Sequence, residues 1–187
     1  MPSPIRTGRL IRCMLMPGLA VGLAACSSLQ AKDFAGVQPQ FQPDRFFEGR
    51  VHAWGVMEDG SGNPKSRFTS IDSGTREGDS VLIDQAISFS DGTVQKRSWR
   101  LRRVDAHHYE GSAADIVGIA KGEAYGNTFH LEYTVALSPG NFLSHVGFSQ
   151  WLYLQDDGQT MISRSTITKL GLTVARVTEY GRRDTRP

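Results

Sequence analysis

Cys13 and Cys26 are the only thiols in the 187-residue chain, and the second closes the run Leu23-Ala24-Ala25-Cys26. A cysteine sulfur is the chain's best nucleophile, and small residues just before it leave the preceding peptide bond open to a peptidase. Small-small-Cys after an apolar run is a cleavage signature. Other reactive residues are dispersed. His52, His107, His108, His130 and His145 include one adjacent pair, but neighbours on a strand point to opposite faces and would not share an ion. That pair reads as a solvated turn. Asp156-Asp157 is acidic enough for a metal or a general acid, yet it stands before Gly158, where aspartate is favoured for its bonds to the turn backbone. Arg100, Arg102 and Arg103 could hold an anionic headgroup, although a charged outer strand face is the commoner use of such a run. The sequence has no G-x-S-x-G, H-E-x-x-H or phosphate-cradling loop, and Gly60-Ser61-Gly62 with Pro64 behind it is a turn. No catalytic residue, metal ligand or cofactor is assigned, and the expectation is a protein that is not an enzyme.

The run ending at Cys26 resembles the lipobox of bacterial lipoproteins, whose cysteine receives a diacylglyceryl thioether and becomes the acylated first residue. Arg6, Arg9 and Arg12 precede an apolar stretch from Cys13 to Leu23, broken by Pro17-Gly18. That stretch is far short of the roughly 20 residues of a spanning helix, so it reads as a signal peptide. The expectation is a discarded segment 1–25, lipid attachment at Cys26 and a membrane as partner through that anchor. Buried acyl methylenes contribute about 0.8 kcal/mol each, so more than one chain makes attachment lasting. Ser27 stands where the resemblance makes aspartate the inner-membrane retention signal. Its identity implies the outer membrane, with the domain facing the periplasm.

The whole chain carries 21 basic and 19 acidic residues, and loss of the three arginines of the first segment leaves 18 against 19. A nucleic-acid partner, which would need a clustered basic face, is not expected on that balance. With one cysteine discarded and the other acylated, no disulfide staples the domain, so its stability rests on its core. The length suits a single domain. Residues 26–45, containing Gln38-Pro39-Gln40 and Gln42-Pro43, read as a lipidated N-terminus and a tether reaching about 25 Å as a flexible coil. The alternative is that Phe34 and Phe41 pin this segment to the domain, because aromatics are seldom left in solvent. The domain proper is 46–187.

From Phe46 onward, short alternating runs are separated by turn residues. Phe129, Leu131, Tyr133, Val135 and Leu137 alternate with smaller or polar residues, and Val81, Ile83, Ile87 and Phe89 do so around Gln85. Trp99 and Leu101 alternate with Arg100 and Arg102. Period two is the period of a strand. Further strands are expected at 49–57, 66–75, 108–112, 118–124, 146–155, 161–169 and 172–180. Between them lie Asp59-Gly60, Asp91-Gly92, Gly126-Asn127 and Asp157-Gly158, residues that accept the backbone angles of tight hairpins. About ten strands without a helical window indicate an all-β antiparallel up-and-down meander. Such a chain removes its edges by closing into a barrel or half-barrel, with a two-sheet sandwich as the alternative.

Longer phrases resemble a family of Gram-negative lipoproteins classed as a domain of unknown function. They are Phe47-Glu48-Gly49-Arg50-Val51-His52-Ala53-Trp54-Gly55, Asp115-Ile116-Val117-Gly118-Ile119-Ala120-Lys121-Gly122-Glu123 and Trp151-Leu152-Tyr153-Leu154-Gln155-Asp156-Asp157. The resemblance spans 46–180 and implies a domain type without an activity. The meander, with Trp54 near its first strand, is also similar to lipocalins, but it lacks their G-x-W signature. That likeness is one of architecture.

If the Leu131 face is inward, Val81, Ile83, Phe89, Trp99, Leu101, Phe129, Leu131, Tyr133 and Val135 share one uncharged interior and are the candidate ligand-binding residues. Gly49, Ala53, Gly55 and Gly118 would then leave room for a guest. Trp54, opposite in parity to Val51 and Ala53, would face outward, whereas Trp99 and Trp151 suit a core. Two accounts stay open. One is a hollow, lipid-anchored barrel that binds or transports a hydrophobic or amphipathic small molecule. The other is a solid core whose outer surface docks an envelope partner, as a structural or assembly accessory.

Overall fold

The computed structural model describes residues 28–184, apart from Pro139 and the Phe142 side chain. Cys26 and the signal segment lie outside the described residues. Ten strands follow one another in chain order: β1 (Gly49–Asp59), β2 (Pro64–Glu77), β3 (Ser80–Phe89), β4 (Val94–Arg103), β5 (His108–Ser112), β6 (Ala120–Tyr125), β7 (Thr128–Ala136), β8 (His145–Leu154), β9 (Thr160–Lys169) and β10 (Leu172–Arg183). Each pairs antiparallel with its chain neighbours, and β1 pairs with β10 to close the barrel. The meander expected from the turn spacing is therefore the fold, and the sandwich is not. At the closing seam Ala53 lies opposite Gly181 and Trp54 opposite Tyr180.

The period-two residues sort by face. Val51 and Ala53 are buried, while Trp54 between the neighbouring strands is half exposed on the other side of the wall. Leu137, the last member of its alternating run, stands past the end of β7 and is exposed. Trp151 is not a core residue: it stacks on His130 with ring centroids 4.0 Å apart, beside Phe34. Arg100 and Arg102 do occupy a charged outer face, paired with Glu77 and Glu110. Arg103 does not belong to that face, because it has the same parity as buried Leu101 and points inward to Asp44.

The turns use the chemistry expected of them. Asp157 Oδ1 accepts from the backbone N–H of Gln159 at 2.9 Å and of Thr160 at 2.8 Å, so this aspartate holds a hairpin. His107 and His108 stand at the start of β5, where the His107 ring stacks on Tyr125 and His108 pairs with Asp105. The β9–β10 hairpin is unusual in placing Leu170 at φ 51° ahead of Gly171 at φ 80°. Positive φ at both central positions matches the twist of paired strands, but leucine carries the Cβ clash that glycine avoids.

The segment expected to be a tether is the largest departure. From Gln30 onward it folds onto one end of the barrel through a 3-10 turn at Ala31–Phe34 and a single helical turn, α1 (Pro43–Phe46). The Phe41 N–H donates to the Gly126 carbonyl at 2.7 Å. Phe41 and Phe46 are 3% and 4% exposed, and rings run edge-on from Phe46 through Phe41 and Phe129 to Tyr109, with centroids 5.3, 6.2 and 5.5 Å apart. Each such ring buries on the order of 150–250 Å², and that burial holds the segment in place. Asp44 locks it: this carboxylate is buried and accepts from Arg103 at 2.7 Å, Tyr109 at 3.2 Å and Arg76 at 3.4 Å. A buried charge persists when its oxygens find donors in this way. The domain thus begins near Gln30, and this end of the barrel is shut.

Candidate ligand-binding site

Beyond the closed end, the barrel encloses a cavity of about 260 Å³. It runs toward the end where β3 turns into β4 and β9 into β10. Alternation along the strands builds it: every second residue faces in, and where no segment fills the lumen those side chains face empty space. Of the residues assigned to the interior, Ile83, Phe89, Trp99, Leu101, Phe129, Leu131 and Tyr133 line it. Trp99 and Tyr133 meet edge to face at 5.2 Å, and Tyr133 stacks on Phe148 at 4.8 Å. Val81 and Val135 do not line it. Val81 is fully buried in the packed cluster near the closed end, and Val135 is buried where β7 meets Val146 and the Ile116 bridge. Both have inward parity, but Val81 sits at the level that the packed cluster fills, and Val135 is covered where the Ile116 segment bridges β7.

The small residues do not leave room for a guest. A Cβ on Gly55 would lie 2.3 Å from the Phe68 ring, and one on Gly122 would lie 2.5 Å from the Phe129 ring. These glycines accommodate the wall's own rings. Gly49 and Gly118 have φ of 97° and 73° and serve the backbone, and Ala53 is buried.

Nor is the interior uncharged. Asp72 and Gln85 reach it from the paired strands β2 and β3, Gln150 from β8, and Glu179 from β10. Tyr133 donates to Gln150 Oε1 at 3.4 Å, and Gln150 donates to Ser163 at 3.1 Å. Arg97 also lines the cavity, with its guanidinium paired to Asp115 and 5.6 Å above the centre of the Trp99 ring. Asp72 is 4% exposed, and among the described residues its Oδ1 has no hydrogen-bond partner, with the Gln85 and Ser70 side chains the groups that favour its charge. Burial raises the Asp72 carboxyl to about 6. Burial, and then the nearby Asp72 charge, raise Glu179 to about 8. Near neutral pH the pair thus holds about one proton and one negative charge. A carboxyl that keeps its proton at that pH can both donate and accept hydrogen, so the cavity can exchange a proton with its contents as well as hold them. A signal for the pair existed in the sequence: Asp72 shares the parity of Phe68, and Glu179 that of Val177, an acid in the inward register of each strand.

A larger but shallow depression lies on the outer surface between Arg50, Trp54, Arg182 and Asp184. Its lining is mostly solvated polar groups, so the interior cavity is the better site.

Comparison with known proteins bears on fold and family. A family model described as a protein of unknown function (DUF3833) matches residues 20–182. No curated protein matches the chain. Among solved structures, the barrel is similar to an S-type phycobiliprotein lyase from Guillardia theta, with 12% identity and a TM-score of 0.60, over 79% of this chain and 95% of that one. A protein of unknown function from the DUF3598 family of Nostoc punctiforme is 10% identical with a TM-score of 0.55, over 79% of this chain and 51% of that one. Rv2717c from M. tuberculosis is 15% identical with a TM-score of 0.54, over 79% of this chain and 99% of that one. At such identities the likeness establishes a lipocalin-like barrel fold. It also corrects one expectation: a protein named a lyase has this architecture, so the lack of familiar nucleophile and metal motifs does not set this chain apart from enzymes.

Proposed function

We propose that this chain, which belongs to the DUF3833 family of proteins of unknown function, takes an amphipathic small molecule into its barrel and is held at the outer membrane by a lipid on Cys26. The observation that carries the binding reading is the 260 Å³ cavity, walled by Ile83, Trp99, Leu131 and other apolar side chains and carrying a few polar groups. That combination, apolar walls with convergent polar groups, is what small-molecule sites have in common. The similar barrel of a phycobiliprotein lyase is in keeping with a ligand-binding role. The lipobox resemblance at Leu23-Ala24-Ala25-Cys26 supports the anchor, and Ser27 after it supports the outer membrane, with the cavity facing the periplasm.

A neutral, environment-sensitive apolar dye tests the cavity. Wild-type protein should enhance its fluorescence with saturable binding. Ile87→Trp, at a half-buried lining position, should abolish that signal at a stability cost below about 1 kcal/mol, since the added volume goes into empty space and does not overpack a core. Absence of binding to wild-type protein, together with strong destabilisation of Ile87→Trp, would remove the reading.

A further inference from the structure

The cavity's polar groups point to the kind of molecule that fits it. Asp72 is nine-tenths buried, lines the cavity, and among the described residues has one oxygen without a hydrogen-bond partner. Leaving such an oxygen dry and unpaired is costly, so it marks a place where a donor belongs. Glu179 lines the same space from β10, separated from β2 only by β1, and its proximity to Asp72 is felt in its titration. The other charged and titratable groups around the pair are already engaged. Arg97 pairs with Asp115, and the Tyr133 hydroxyl donates to Gln150.

Resting on the cavity as a ligand site, we infer that Asp72 and Glu179 recognise a protonated amine at the polar end of an amphipathic guest whose apolar part lies against Ile83, Trp99 and Leu131. An ammonium group brings three N–H donors and a compensating charge, which meets both the unpaired oxygen and the net negative charge of the pair. An alcohol brings one donor and no charge. A carboxylate brings a like charge into a low-dielectric space and is disfavoured there. A metal ion is a poorer fit, since only two carboxylates line the cavity and its other polar groups include the Arg97 guanidinium. As the amine binds, the proton held on the cavity carboxyls should leave, so affinity should rise with pH between about 6 and 8, where Asp72 and Glu179 ionise.

The test is displacement of the neutral dye by octylamine, octanol and octanoate at constant pH and ionic strength, with wild type, Asp72→Asn and Glu179→Gln. Octylamine should displace the dye about tenfold more tightly than octanol, with octanoate weakest. In either variant the ratio of octylamine to octanol displacement, each referred to that variant's own dye affinity, should fall to near one. Using both variants guards against one of them failing to fold. Equal displacement by amine and alcohol in wild type, or a preference that survives both substitutions, would overturn the amine assignment while leaving the cavity as a ligand site. A wild-type protein that binds neither the dye nor any of the three compounds would overturn both.

Discussion

The two ends of this barrel are made by the same strands and behave differently. At the closed end, the N-terminal segment brings Phe41, Phe46 and Asp44 into the lumen, where the rings pack with Phe129 and the carboxylate meets Arg103 and Tyr109. At the other end no segment enters among the described residues. The inward side chains of Phe89, Ile87 and Phe148 face a cavity, and the rim exposes Val94, Leu137, Leu170 and Leu172. Strand alternation makes an apolar lumen everywhere, and what decides between core and site is whether the chain supplies its own filling. The cavity is the part of the lumen that the N-terminal segment does not fill, and Phe47 at the end of that segment lines it.

The sharpest way to break this comparison is to truncate one ring at each end. Phe41→Ala should cost about 3–5 kcal/mol, as for a ring removed from a packed interior. Phe89→Ala should cost about 1 kcal/mol, because that ring already borders empty space. Denaturant unfolding of the two variants checks both values, and equal costs would mean that the open end is packed as well as the closed one.

A smaller effect should appear with pH. Both cavity carboxyls titrate above their usual range, Asp72 at about 6 and Glu179 at about 8. The folded state therefore keeps protons that the unfolded chain gives up. The stability this linkage provides is complete below the ordinary carboxylate range, and it is lost as pH rises through about 6 and then about 8. The unliganded protein should be less stable at pH 9 than at pH 5 by about 1–3 kcal/mol. Glu179→Gln should flatten the upper part of that slope, whereas Asp44→Asn at the closed end should lower stability without flattening it. Thermal melts across pH separate the two cases.

The smallest effect on the fold is expected at Cys26. Cys26→Ser should leave the melting temperature and dye binding unchanged, and intact-mass analysis should find no added lipid and no membrane-bound mature form. Detergent-free release of the wild-type protein from cells would argue against the anchor.

The wall was legible because its signal is local. Alternation through Phe129, Leu131 and Tyr133, with turn residues at close spacing, is enough to place strands and their inward faces. The plug was legible only as an alternative, from the aromatic rings of Phe34 and Phe41, because residues 30–47 have no periodicity. Their place depends on Phe41 finding Phe129 and on Asp44 finding Arg103, partners remote in sequence. The acid pair was hidden for a related reason. Asp72 and Glu179 lie more than a hundred positions apart in the chain, and only the β1–β10 seam brings their strands to either side of β1. The glycines misled because a missing side chain shows that space is needed there, without showing that Phe68 takes it.

The closing seam also gives the molecule a direction. The ordered N-terminal segment lies beside the shut end, and the last described residues leave from the same side, where the Asp184 N–H donates to the Arg50 carbonyl. The four peptide steps between Cys26 and Gln30 reach at most about 14 Å, while a strand of ten residues such as β3 spans about 33 Å. A surface that grips the chain at Cys26 would therefore sit under the base of a cup whose lip points away from it. A guest would enter from the compartment and not from the supporting leaflet, and delivery and anchorage would take place on opposite sides of one small molecule-sized vessel.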